Sequence, residues 1–337
     1  MAAHMTDQDR TGRRPEPTAD RRTVPTVQPV PTATTRPGRV VAIVGPTAAG
    51  KSALSIALAQ ALNAEVVNAD SMQLYQGLDI GTAKLTPEER AGVPHHLLDI
   101  WPVTAAASVA EYQRLARAAI DDIHRRGRLP MLVGGSGLYV RAVLEKFDFP
   151  GTDPALRDQL ETELATQGPA SLHARLAAAD PAAAAAIAPS NGRRIVRALE
   201  VVELTGRPFT AALPDPVPYY DAVQLGVDLP TDELDERIAR RVDRMWADGL
   251  VAETEELVRQ GLRQGRTASR ALGYQQVLRM LDGAYDEPQA RAETVRATRR
   301  FVRRQRTWFR RDLRVHWLTG TGTDLTDAAR TLLTGAG

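Results

Sequence analysis

Residues 39–52 read RVVAIVGPTAAGKS: an apolar run of strand length, a glycine-bounded turn, and then the amphipathic stretch Ala53 to Leu62. Gly45, Gly50, Lys51 and Ser52 match G-x-x-x-x-G-K-[ST], with Pro46, Thr47, Ala48 and Ala49 completing the loop. In that motif the glycines let backbone N–H groups converge on phosphate oxygens at a helix N-terminus, the lysine adds a charge, and the hydroxyl can hold Mg²⁺. The context is strand, loop, helix, as the mechanism demands. Most such loops bind ATP or GTP, so a nucleotide-binding P-loop is the first expectation.

Working outward, Glu65 to Asp70 (EVVNAD) predicts a second short strand with a carboxylate just past its end, and His96 to Asp99 a third. Ser108 and Glu111 have capping-box spacing for a helix to about Arg126, and Leu129 to Val133 is a strand ending in Gly134, Gly135, Ser136 and Gly137. Alternating strands and helices with short loops imply a parallel α/β sheet, whose ligands sit beyond the carboxyl ends of the strands. The fold class is α/β, a P-loop NTPase-like parallel sheet flanked by helices.

From Asp153 the texture changes. Pro154 to Ala165, Ser171 to Ala179, Pro181 to Ala188 and Asn191 to Thr205 are alanine-rich and helical, with no strand candidate. They predict an inserted all-helical subdomain over 153–217, dividing the core into 39–152 and 218–337. Val223 to Asp228 returns to strand. Long helices follow over 232–246, 251–260, 271–281 and 287–310, then a strand at 315–318 and a short helix at 324–333.

Composition narrows the chemistry. The 337 residues contain no cysteine, which excludes disulfide frameworks, thiolate zinc sites and thiol nucleophiles. No run approaches the roughly 18 apolar residues of a membrane helix, and no apolar h-region follows the N-terminal arginines, so a cytoplasmic protein without membrane association is expected. Residues 1–38 are rich in Pro, Thr and Arg and predict a disordered tail, of which 1–4, ahead of Met5, read as an expression scar. Ten arginines lie in 289–314 against Glu293 and Asp312, a local net of +8 within a chain of net +2. Concentrated positive charge commonly serves a polyanion. Only Lys51, Lys84 and Lys146 of the 43 basic residues are lysine, which suggests that a compact point charge is needed at 51.

An ATPase of this class normally has a metal-binding Asp at the end of an apolar strand, whereas here the strand at 129–133 runs into glycines and Ser136. Asp70 is the nearest suitably placed carboxylate, either as a metal ligand, as in a small-molecule or nucleotide kinase, or as a general base. Adjacent His95 and His96 point to opposite faces of a strand with no third ligand at metal spacing, and read as structural or as neighbours of a bound polyanion. Tyr139 and Tyr274 read as core.

Taken together and in order, GPTAAGKS (45–52), NADSMQLY (68–75), DIGTAK (79–84), PHHLLDI (94–100), GGSGLY (134–139), RALGY (270–274) and RQRTWFR (304–310) resemble the bacterial tRNA dimethylallyltransferase family. The resemblance spans about residues 40–318. It implies transfer of a dimethylallyl group from dimethylallyl diphosphate to N6 of the adenosine 3′ of the anticodon, with the loop at 45–52 holding the prenyl diphosphate instead of a nucleotide. It also implies a monomer, Mg²⁺ on Ser52, and a helical insertion closing over the anticodon stem-loop of tRNA. By residue, it implies Asp70 as general base, Arg241 on the diphosphate and Ser136, where the family often has Thr, at the reacting groups. On the tRNA side it implies Asp70, Ser71, Met72, Gln73, Ser136, Arg157, Arg193, Arg194 and Arg197; the family usually has Gln-Arg where this chain has Arg193-Arg194. A P-loop kinase is the alternative reading.

Overall fold

The computed structural model describes residues 38–147, 149–209, 215–318, 320 and 322–334. The expected tail, with its scar at 1–4, lies outside the described residues except for Gly38. In the first half, β1 (Arg39–Val44) leads to α1 (Lys51–Leu62), β2 (Ala64–Asn68), β3 (His95–His96), α2 (Val109–Arg125), β4 (Leu129–Gly134) and α3 (Gly137–Leu144). The insertion contributes α4 (Pro154–Ala179), α5 (Pro181–Ala186) and α6 (Gly192–Thr205). The chain returns through β5 (Asp221–Val227), α7 (Thr231–Ala247), α8 (Leu250–Arg259), α9 (Tyr274–Leu281), α10 (Glu287–Arg310), β6 (Val315–Leu318) and α11 (Gly322–Thr334).

The six strands are all parallel, in the order β3-β2-β4-β1-β5-β6. β1 lies between β4 and β5 and is buried on both faces, which is why it reads as a continuous apolar run with no alternation. Val40, Ala42 and Val44 face a core built with α2, α3 and α8–α10, while Val41 and Ile43 face another built with α1, α7 and α11. The loop after β1 therefore opens between the carboxyl ends of its two neighbours. No helix among the described residues is long and apolar enough to cross a membrane.

The insertion has its own core, in which Leu160, Leu172 and Leu176 pack on Ile195, Val196 and Leu199. The two expected helices at 154–165 and 171–179 run on through one kink at Gly168 (φ 79°) and Pro169. At the neck the ingoing and outgoing chains pair antiparallel: Lys146 N–H donates to the Val217 carbonyl at 2.7 Å and Tyr219 N–H to the Leu144 carbonyl at 2.8 Å.

Three expectations are corrected locally. The third strand is two residues long and ends at His96, because Leu97 (φ 62°) and Asp99 (φ 57°) turn the chain left-handed and carry Asp99 to a buried lysine. The helix expected from Ala271 begins at Tyr274, after a 3₁₀ turn at Ala268–Arg270 and Gly273 (φ 89°). The charge of the arginine-rich segment is offset in part by ion pairs. Arg291 and Arg296 pair within α10, Arg299 pairs with Asp235, Arg306 and Arg310 share Asp228, and Arg314 reaches Asp312 and Glu145. Arg303, Arg304 and Arg311 remain exposed.

Candidate active site

Beyond β1 the chain turns at Gly45 (φ 139°), where a Cβ would sit 2.1 Å from the Val227 carbonyl oxygen on β5, so no other residue fits. Ala48 (φ 65°) and Gly50 (φ 103°) fold the loop back and α1 starts at Lys51. The Lys51 ammonium closes the loop by donating to the Pro46 carbonyl at 2.7 Å. Thr47, Ala48, Gly50, Lys51 and Ser52 line a cleft of 740 Å³. Ala49 lies behind it, against a neighbouring cavity.

Asp70 enters the same cleft from the end of β2. Its backbone is fixed by the buried Asn68 side chain, which donates to the carbonyls of Asp70 and Leu97, both at 3.1 Å, and accepts the Asp70 N–H at 2.9 Å. One carboxylate oxygen of Asp70 accepts the Met72 N–H at 3.0 Å. Ser71 is held by Ser136, whose hydroxyl accepts the Ser71 N–H at 3.1 Å and lies 3.2 Å from the Ser71 hydroxyl. Gln73 lines the cleft and donates to the Thr82 carbonyl at 3.3 Å.

From the opposite wall, Arg241 on α7 donates to the same Thr82 carbonyl at 2.9 Å. Burial pulls its pKa below the ordinary value, against the opposing pull of Asp70. Burial likewise brings Lys51 down to about 8, with Asp70 opposing and Arg241 reinforcing. Two desolvated cations around one carboxylate make a site short of negative charge, which suits a polyanionic ligand.

Ser52 is exposed in the first turn of α1 and lines the cleft. Among the described residues no group of three or more His, Asp or Glu side chains is arranged for a metal. Mg²⁺ at phosphate sites is commonly held by one or two protein oxygens with water and ligand phosphates, and Ser52 fits that pattern.

Several supporting residues carried no assignment in the sequence. Lys84, 3% exposed, donates to the Tyr75 carbonyl at 3.0 Å and pairs with Asp79 at 2.6 Å and Asp99 at 2.5 Å. Glu253 accepts the Ile80 N–H and the Tyr274 hydroxyl, and Tyr274 in turn accepts the Gly81 N–H at 3.0 Å. Together these pin the 79–84 loop, so Tyr274 is buried, as read from sequence, and structural in a specific way. Tyr139 packs on Tyr112 at 4.7 Å between ring centroids, and Tyr112 donates to the Asn68 carbonyl at 2.9 Å. The scarcity of lysine could have flagged Lys84, whereas nothing in the sequence marks Glu253.

The arginines of the insertion lie outside this cleft. Arg157 and Arg197 converge on the fully buried Glu200, and Arg197 also donates to the Pro150 carbonyl at 2.7 Å and the Gly151 carbonyl at 3.1 Å. Arg193 and Arg194 are exposed in the first turn of α6, and the Arg193 charge reaches Tyr139. His95 also lines the cleft, its Nδ1 2.8 Å from the Val93 carbonyl and its pKa lowered chiefly by burial; His96 pairs with Glu65.

The sequence profile of the IPP transferase family matches residues 73–312. Relatives named tRNA dimethylallyltransferase include one from Salinispora arenicola (strain CNS-205), 76% identical over 294 residues, covering 87% of this chain and 86% of that protein. Another, from Thermobifida fusca (strain YX), is 67% identical over 299 residues and covers 87% and 94%. The crystal structure of the full-length tRNA isopentenylpyrophosphate transferase from Bacillus halodurans matches with a TM-score of 0.66 at 43% identity, covering 88% of this chain and 96% of that one. A eukaryotic dimethylallyltransferase captured in crystallographic snapshots acting on tRNA matches with a TM-score of 0.76 at 27% identity, covering 88% and 80%.

Proposed function

The chain belongs to the IPP transferase family, and from that membership we infer that it is a tRNA dimethylallyltransferase, a prenyltransferase whose substrate is tRNA. The relatives favour this reading over a P-loop kinase. We further propose that the acceptor is N6 of the adenosine 3′ of the anticodon, presented by the anticodon stem-loop, and that the donor is dimethylallyl diphosphate. The observation that carries the reading is one carboxylate, Asp70, sharing a single cleft and electrostatically coupled with two partly buried cations, Lys51 and Arg241.

In this mechanism the loop at 45–52 cradles the diphosphate through its backbone N–H groups, with Lys51 and Arg241 supplying fixed charge. The acceptor nucleotide leaves its stack and enters beside Asp70, Ser71, Met72 and Gln73. N6 bonds to C1 of the dimethylallyl group as the C1–O bond breaks, the N6 proton passes to Asp70, and diphosphate departs. Proton removal by a positioned base contributes about 10²–10⁴-fold, and charge developing on the leaving oxygen is met by Lys51 and Arg241 without reorganisation. Ser52 would hold Mg²⁺, which would supply Lewis-acid neutralisation of the leaving group. Ser136 keeps the acceptor-side turn in place through Ser71. The exposed Arg193 and Arg194 offer guanidinium donors to the RNA backbone, while Arg157 and Arg197 shape the neck of the insertion. The family resemblance carries the proposal of a monomer, and tRNA as substrate supports a cytoplasmic enzyme.

The test is diphosphate release from labelled donor with an anticodon stem-loop. Release requiring the RNA, and abolished by an adenosine-to-guanosine change at the acceptor, is the expected result. ATP turnover indifferent to RNA would favour the kinase instead.

A further inference from the structure

Gln305 on α10 bonds both the loop at 45–52 and the glycine turn after β4. Its Oε1 accepts the Thr47 N–H at 2.9 Å, and its Nε2 donates to the Gly135 carbonyl at 3.0 Å. The amide is buried, at 6% exposure, so each bond is made in low dielectric and neither is readily replaced by water. The turn is shaped to receive it. A Cβ on Gly135 would meet Gln305 Nε2 at 2.2 Å, and one on Gly137 would meet the Trp308 indole nitrogen, one turn further along α10, at 2.1 Å.

Ser136, the next residue in the turn, connects this contact to the acceptor side. Its N–H donates to the Ala69 carbonyl at 3.3 Å, and its hydroxyl accepts the Ser71 N–H, so the two residues flanking Asp70 are both tied to Ser136. An unbroken path of hydrogen bonds and short backbone links thus runs from Thr47 in the donor loop, through Gln305, to the turn that carries Asp70. One planar group bonds the donor loop and the glycine turn at the same time.

We propose that Gln305 is a positioning residue for the transfer, setting the donor cradle at a fixed distance from the base by holding Thr47 and Gly135 on the two ends of one amide; this rests on the function proposed above. A rigid spacer acts on the transition state more than on either ground-state complex. Displacements of about 1 Å at such a site can cost on the order of 100-fold in rate. Glutamate at 305 is a sensitive probe. As a carboxylate it accepts from Thr47 but repels the Gly135 carbonyl; once protonated it can accept from one and donate to the other, as the amide does.

The experiment measures kcat and KM for donor and stem-loop in wild type, Gln305→Leu and Gln305→Glu from pH 6 to 8.5, with amide exchange over residues 45–50 and 134–137. Gln305→Leu should lower kcat about 10–100-fold with KM for donor within about threefold, and should speed exchange in both segments together. Gln305→Glu should show a similar deficit at pH 8 that narrows at least about fivefold, as a ratio to wild type, by pH 6. A kcat for Gln305→Leu within twofold of wild type, a pH-independent ratio for Gln305→Glu, or exchange that changes in only one segment would overturn the proposal. A wild-type chain that transfers no prenyl group defeats the proposed function instead, and the exchange measurement still decides whether Gln305 couples the two segments.

Discussion

Asn68 grips Asp70 at both ends of its backbone, donating from Nδ2 to the Asp70 carbonyl at 3.1 Å and accepting the Asp70 N–H on Oδ1 at 2.9 Å. A short polar side chain two residues upstream thereby replaces the sheet ladder at the point where β2 ends. The carboxylate leaves the strand in a fixed direction, toward Lys51 and Arg241.

Removing the base and removing its holder should then be partly the same lesion. Asp70→Asn is expected to lower kcat by about 10²–10⁴-fold, and Asn68→Ala by about tenfold or more in a folded protein. In the double variant the Asn68 change should add little to the Asp70 loss, because there is no longer a carboxylate to aim. Single-turnover rates of the four proteins check this, and fully multiplicative losses would separate the two residues.

Lys51 makes donor binding pH-dependent within an accessible range. Its pKa in the free protein is about 8, lowered mainly by burial, and a bound diphosphate favours the charged ammonium. Donor affinity should therefore be greatest below pH 8 and fall as pH rises through that value. Lys51→Ala should bind donor weakly and without this dependence between pH 7 and 9, as titration calorimetry can measure. If wild-type affinity stays level across that interval, the ammonium does not contact the diphosphate.

Sequence pattern reached the sheet and the loop because both are local. An apolar run with a glycine turn dictates β1 and residues 45–52, although the contact that makes Gly45 obligatory, with the Val227 carbonyl, comes from β5, far along the chain. What it could not reach are the parts made by chain segments far apart. Gln305 meets Thr47 across 258 residues and Glu253 meets Ile80 across 173, and neither residue type is unusual where it stands. The ion pairs of 289–314 were out of reach for the same reason, since Asp228, Asp235 and Glu145, which offset part of its charge, come from elsewhere in the chain. Position at the end of β2 already marked Asp70, with its role left open, whereas Arg241 came from the family resemblance; that Arg241 reaches Thr82 and that both act on Lys51 is a property of the fold.

Glu65 should make the protein acid-sensitive. Its side chain is 1% exposed and is held by Arg126, His96 and Arg128, and the Arg126 hydrogen bonds, against the cost of burial, bring its pKa to about 2 from an ordinary 4.5. A depressed carboxylate contributes stability that is fully present above about pH 4.5 and is lost as pH falls toward 2. With Arg126 and Arg128 both 40% exposed, solvent screening reduces that contribution to on the order of 2 kcal/mol. Glu65→Gln should lower Tm at pH 7 and flatten its decline between pH 4.5 and 2. A parallel decline in both proteins would assign the acid sensitivity to other groups.

Glu200 offers a way to separate the insertion from the cleft. It is fully buried, accepts from Arg157 and from Arg197 at 2.7 Å, and although burial alone would raise its pKa, the two guanidiniums lower it. Breaking a buried pair from one side can cost about 3–5 kcal/mol. Here the arginines are 34% and 25% exposed and can turn to water, so Glu200→Ala should cost less, about 1–3 kcal/mol. The consequence should be selective. None of the three residues lines the donor cleft, so donor affinity should be unchanged, while affinity for the stem-loop should fall several-fold as the start of α4 and the body of α6 lose their common anchor. Separate titrations with donor and with stem-loop decide it, and equal weakening of both would make the insertion and the cleft one cooperative binding unit.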